Sequence, residues 1–145
     1  MKVPAYLRLV RPVQTEKELH ADVKKALTFL VKPPAVFLPY PAGWVQLSEQ
    51  QAATLSAMGL RRGVPDWLGF YDGRSFGIEL KREGGRLSVT RIVRTPRGGV
   101  RILEGQDLMF RRLEEAGMKI AVCRSVPDVE AALRLWRIPL RGTTA

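Results

Sequence analysis

A single cysteine, Cys123, occurs in 145 residues, which excludes any disulfide within the chain. It stands in an apolar, strand-like run and reads as a core residue. Histidine is equally scarce, with His20 alone. One imidazole and one thiol cannot make a tetrahedral zinc site. No nucleophile motif accompanies His20 to complete a Ser-His-Asp arrangement. No apolar run approaches the ~20 residues needed to cross a bilayer. The N-terminus lacks the apolar segment of a signal peptide, so the expected location is the cytoplasm, without a membrane partner. Acids are also in short supply: 14 against 24 basic side chains, a net charge of +10. A small protein this basic suits a polyanion, and nucleic acid is a better reading of the charge than solubility alone.

What is present centres on residues 63–81. Gly63-Val64-Pro65-Asp66 leads into Trp67–Tyr71, then Asp72-Gly73, then Ser75–Lys81. Asp-Gly between apolar runs predicts a tight hairpin, because both turn residues tolerate positive φ. Phe76, Ile78 and Leu80 alternate with Ser75, Gly77, Glu79 and Lys81, which predicts a packed face and a polar face. A two-residue loop at Asp72-Gly73 sets Asp66 directly across from Glu79, with Cβ atoms about 4.5–5.5 Å apart. Lys81 follows on the same face. Paired carboxylates repel, and a divalent cation between them removes that cost; hard oxygen ligands suit Mg²⁺ or Mn²⁺. A lysine beside such a pair can steer a water or stabilise charge on a phosphate. The plainer alternative is a surface hairpin with scattered charges.

Around this hairpin the chain reads as one domain, 1–145. Residues 1–14 form a basic arm, with a short strand at Tyr6–Val10. Thr15–Val31 is a helix opened by a Thr15/Glu18 capping box, with Leu19, Val23, Ala26, Leu27 and Leu30 as its apolar stripe. Glu16 shares the side of that stripe, whereas Glu18 is solvated and already caps. Glu16 is therefore the better candidate ligand, against the simpler role of a first-turn acid facing the helix dipole. Ala35–Tyr40 is a strand and Ser48–Met58 a second helix. Arg61 and Arg62 precede the acidic site as candidate phosphate contacts or a solvated loop. Arg82–Arg86 is a Gly-rich loop whose Gly84-Gly85 pair suits a turn or a phosphate. Val89–Gly105 reads as an inserted hairpin turning at Pro96–Gly99. It carries Arg91, Arg94, Arg97 and Arg101 and one acid, Glu104. Two uses stay open for it: a grip on a nucleic-acid backbone or a dimer arm. Gln106–Ala116 is a third helix, with Leu108, Met109 and Leu113 as its apolar residues. Met118–Cys123 is a buried strand. A helix opened by Ser125 buries Val129, Ala132, Leu133 and Trp136, and residues 138–145 are a tail. A helical crossover between the Glu79 and Met118 strands implies a parallel pair. The expected class is α/β: a mixed sheet of about four strands flanked by helices, with an inserted β-hairpin.

The run Arg62–Asp66 and Ile78–Ser88 resembles the VRR-NUC domain of the PD-(D/E)xK nuclease superfamily. The signature is Pro65-Asp66 followed by Glu79-Leu80-Lys81, and the likeness extends from about Thr15 to Trp136 (positions read from the sequence). It implies a restriction-endonuclease-like fold and a nuclease with Mg²⁺ or Mn²⁺ as cofactor. Asp66, Glu79 and the Leu80 carbonyl then hold the metal, and Lys81 acts on water or phosphate. Glu16 matches a Glu-x-x-aliphatic-Gln pattern on the first helix near the metal, with His20 standing where Gln is usual. Gln106 sits like the family's Gln at a helix start, to orient water or phosphate or simply to cap. Arg82 and Arg86 join Arg61, Arg62 and the four hairpin arginines as nucleic-acid contacts. The substrate implied is flapped or branched DNA, and the assembly a homodimer. Two rivals stand beside this reading: a non-catalytic nucleic-acid-binding module on the same fold, and a basic structural protein.

Overall fold

The computed structural model describes residues 14–41 and 46–143. The proposed arm and its strand at 6–10 lie outside the described residues, apart from Gln14. Ten elements follow one another: α1 (Glu16–Leu30), β1 (Val36–Pro39), α2 (Glu49–Ala57), β2 (Trp67–Tyr71), β3 (Arg74–Leu80), β4 (Arg91–Arg94), β5 (Val100–Leu103), α3 (Gln106–Glu115), β6 (Lys119–Cys123) and α4 (Val126–Leu135). The main sheet has the order β1-β2-β3-β6, and β4 with β5 forms a separate ribbon. β1 to β3 are antiparallel neighbours, while β6 returns parallel to β3 after α3. The result is an α/β mixed sheet of four strands flanked by helices, with the inserted hairpin set apart.

Local chemistry explains where elements begin. Thr15 accepts from the Glu18 N–H while Glu18 accepts from the Thr15 N–H, a complete capping box. Ser48 and Gln51 do the same for α2. These reciprocal bonds satisfy amide groups that a helix start otherwise leaves open. Asp72 and Gly73 both have positive φ, 51° and 70°. That conformation matches the right-handed twist of the flanking strands. The register follows: Trp67 pairs with Ile78 and Tyr71 with Arg74.

The core lies on one face of the sheet. Phe76, Ile78, Leu80 and Cys123 pack there with the α1 residues Leu19, Val23, Leu27 and Leu30 and the α4 residues Val129 and Leu133. Each such buried side chain contributes roughly 1.5–3 kcal/mol. The other face departs from the expected polar one. Residues 76–80 are buried without a break. Gly77 lacks a side chain, and the Pro65 ring fills that space; a Cβ at Gly77 would come within 2.8 Å of Pro65 Cγ. Glu79, on the same face, is buried as well, at 2% exposure.

Three further expectations are corrected. The strand at 118–123 is a sheet edge, and only Cys123 on it is buried. An edge strand has one neighbour, so an apolar run there stays half covered. Helix α3 buries Met109 and Phe110, whereas Leu108 and Leu113 are half-buried. Residues 138–143 are more than a tail: Ile138 is buried, Leu140 bridges Val31, and the Arg141 N–H donates to the Leu30 carbonyl at 2.9 Å. That segment closes the C-terminal end of α1, where helical carbonyls need partners.

Candidate active site

The hairpin register, continued one step past Trp67 and Ile78, sets Asp66 opposite Glu79. Asp66 stands just before β2, where the chain is still turning. Its Oδ2 accepts from the Leu80 N–H at 2.7 Å, which ties it across to the end of β3. Asp66 is 6% exposed. Burial, then the nearby Glu79 charge, push its carboxyl up to about 7, against the pull of the Leu80 bond and of Lys81. The free protein therefore carries an acid at a position where its charge is costly.

Glu79 is the hub. Its Oε1 lies 3.1 Å from Lys81 Nζ and accepts from Gln106 Nε2 at 2.6 Å. Its Oε2 is buried and has no hydrogen-bond partner among the described residues. A buried carboxylate oxygen in that position calls for a cation or a hydrogen-bond donor. Gln106 is fixed in turn, because its Oε1 accepts from the Ser88 N–H at 3.1 Å. The Ser88 hydroxyl accepts from the Gln106 N–H at 2.9 Å. Gly105 is the N-cap of α3 and no side chain caps it; Gln106 is the first helical residue and its side chain reaches the carboxylate, so the alternative role of a helix cap does not hold.

Helix α1 supplies the remaining side. Glu16 lies at the rim, its side chain 52% exposed, and not on the buried stripe itself. One turn on is His20, buried at 7%. Its Nε2 stands 3.9 Å from Glu16 Oε1 and 3.9 Å from Asp66 Oδ2. Burial lowers the imidazole below its ordinary value, Glu16 opposes this, and Lys81 adds to it. The pattern match on α1 gave no role to position 20. The signal was available, because His20 follows Leu19 on the stripe and stands four residues after Glu16.

The basic candidates separate. Arg61 faces Glu104 at 4.0 Å, and Arg112, absent from the expected set, holds Glu104 with two bonds of 3.0 and 3.1 Å. Arg62, Arg82 and Arg86 are exposed. The Gly-rich loop is a turn: the Gly85 N–H donates to the Arg82 carbonyl at 2.9 Å. Arg124 clamps it by donating to the carbonyls of Arg82 and Gly85 at 2.8 and 2.7 Å. Arg91, Arg94, Arg97 and Arg101 are exposed and form no ion pair among the described residues. Arg91 and Arg101 share one ribbon face; Arg94 lies on the other with Ile92, Val100 and Ile102, all three at least 62% exposed. Asp107 anchors the ribbon's base by accepting from the Thr90 N–H and hydroxyl at 2.9 and 2.7 Å. Cys123 takes no part, since burial pushes its thiol up to about 12.

Among the described residues, no three His, Cys, Asp or Glu side chains already converge at ligating distance. The arrangement nonetheless fits a divalent cation by its donor set: a buried carboxylate pair, one oxygen of which lacks a partner, in a protein otherwise rich in positive charge. Among the described residues, no helix is long and apolar enough to cross a membrane. Compared with protein-family models, curated proteins and solved structures, the chain matches none.

Proposed function

We propose that this chain is a divalent-metal-dependent DNA endonuclease of the VRR-NUC type, with a restriction-endonuclease-like fold. The observation that carries the reading is Glu79: a carboxylate at 2% exposure, opposite a second buried acid, with one oxygen that has no hydrogen-bond partner among the described residues. A structural role would not explain two acids set against each other, whereas hydrolysis of a phosphodiester uses both. Asp66, Glu79, the Leu80 carbonyl and Glu16 would hold Mg²⁺ or Mn²⁺. When bound, such an ion polarises a phosphoryl oxygen and lowers the pKa of a water. Gln106, fixed by Ser88, holds the Glu79 carboxylate in one orientation. Lys81 keeps an ammonium beside that carboxylate, ready to offset negative charge that builds on the phosphate during attack. Flapped or branched DNA is the proposed substrate class.

The test is a panel of single-stranded, duplex, flap and four-way DNA incubated with Mg²⁺ or Mn²⁺, alongside calorimetric cation titration. Cation-dependent cleavage supports the assignment. Cation binding with no cleavage of any substrate leaves a binding module; no cation binding refutes the metal site.

Lys81→Ala separates holding from helping. Lys81 competes with a cation for Glu79 Oε1, from which it stands 3.1 Å. Its removal is expected to lower turnover by about 10²–10³-fold, with cation affinity unchanged or improved. A collapse of cation affinity would show that Lys81 organises the site instead.

The ribbon offers DNA four arginines that the rest of the described chain does not neutralise. Replacing Arg91, Arg94, Arg97 and Arg101 by Ala is expected to weaken duplex binding. Each lost phosphate contact should flatten its log–log salt slope by about 0.9. The exposed Ile92, Val100 and Ile102 favour the competing use, a homodimer arm. A change in solution mass with an unchanged slope would refute the phosphate grip.

A further inference from the structure

We infer that His20 is a nitrogen ligand of the cation site, so that the site takes a first-row transition ion such as Mn²⁺ in preference to Mg²⁺. This rests on the reading of Asp66 and Glu79 as cation ligands. His20 Nε2 faces Glu16 Oε1 and Asp66 Oδ2, each at 3.9 Å. The two separations lie between the roughly 3.0 Å of neighbouring ligands and the roughly 4.2 Å of opposite ligands around an octahedral ion with bonds of about 2.1 Å, so binding would draw the three atoms inward. The i, i+4 spacing on α1 is what brings Glu16 and His20 onto one side of the helix. The Leu80 N–H already fixes Asp66 Oδ2 from the opposite direction, at 2.7 Å.

A neutral imidazole has a lone pair to donate to a metal ion. Asp66 stands 3.9 Å from the imidazole and, across the hairpin, opposite Glu79, which Lys81 approaches to 3.1 Å, so His20 borders the carboxylate pair. Mg²⁺ takes oxygen ligands and resists losing its waters, whereas imidazole suits transition ions. A histidine in this position therefore favours a first-row transition ion over Mg²⁺; Mn²⁺, the weakest binder of that series, is its paramagnetic representative.

His20 is the chain's one histidine, which makes a spectroscopic test unambiguous. The intact protein is prepared with natural-abundance and with ¹⁵N-labelled histidine, loaded with Mn²⁺, and measured by pulsed electron paramagnetic resonance. The expected result is a ¹⁴N coupling that converts to ¹⁵N on labelling. His20→Gln is expected to abolish it. Mn²⁺ affinity should fall by about tenfold or more in that variant, with Mg²⁺ affinity changing much less. Mn²⁺ bound without histidine coupling would overturn the inference while leaving the carboxylate site standing. Failure of the wild-type protein to bind Mn²⁺ or Mg²⁺ in calorimetry would overturn both. The labelling experiment uses the wild-type chain, so it decides the matter even where the variant does not fold.

Discussion

Glu79→Gln is expected to abolish phosphodiester cleavage, by about 10³-fold or more, while leaving the protein folded. Glutamine keeps the shape of the side chain and an acceptor for Gln106 Nε2, now 2.6 Å from Glu79 Oε1. It removes the charge that a divalent cation and the Lys81 ammonium both require. Cation binding should be lost with cleavage, because the buried carboxylate, one oxygen of which has no partner among the described residues, becomes a neutral amide group. Circular dichroism and thermal denaturation would establish that the fold persists; the cleavage panel and calorimetry would measure the loss. Lys81 is 17% exposed at its side chain and can turn toward water once its partner is neutral. Wild-type turnover in Glu79→Gln would remove Glu79 from the chemistry altogether. Retained cation binding without turnover would separate metal holding from its use.

The parts of this site that local sequence specifies were legible, and those that depend on long-range packing were not. Asp72-Gly73 dictates a turn geometry, and the turn alone sets Asp66 against Glu79. The capping boxes at Thr15 and Ser48 likewise act within three residues. The burial of Glu79 could not be read that way. Gln106, 27 residues downstream, arrives at the carboxylate only once the chain is folded. Ser88 holds the Gln106 amide from the far side of an insertion, so its role emerges only with the ribbon folded. The strand at 119–123 has the composition of an interior strand, yet its exposure is set by the strand order. Arg124 and Arg112 carry no local signal of their partners; each is committed to a specific loop or acid. His20 was within reach of periodicity alone, since the spacing that marks Glu16 as facing the stripe applies to it with more force.

Asp66→Asn is expected to remove a pH dependence of stability that the wild-type protein shows without added cation. The folded carboxyl is pushed up to about 7, from an ordinary value of 3.8. Between those two values the folded protein keeps a proton on Asp66 that the unfolded chain has released. The associated stability is full below about pH 4 and is lost as pH rises through about 7. Three units at ~1.4 kcal/mol each put the ceiling at roughly 4 kcal/mol. Asparagine cannot ionise, and its amide oxygen can still accept from the Leu80 N–H. The variant should therefore match the wild type near pH 4 and exceed it by up to that amount at pH 8, measured by urea denaturation across the range. Saturating Mn²⁺ at pH 8 should recover the stability of the wild type, because ligation needs the ionised carboxylate and compensates its charge. The variant should gain much less. Parallel pH profiles for the two proteins would mean that Asp66 ionises freely in the fold. The strain between the two acids, and with it the physical case for a cation between them, would then be absent.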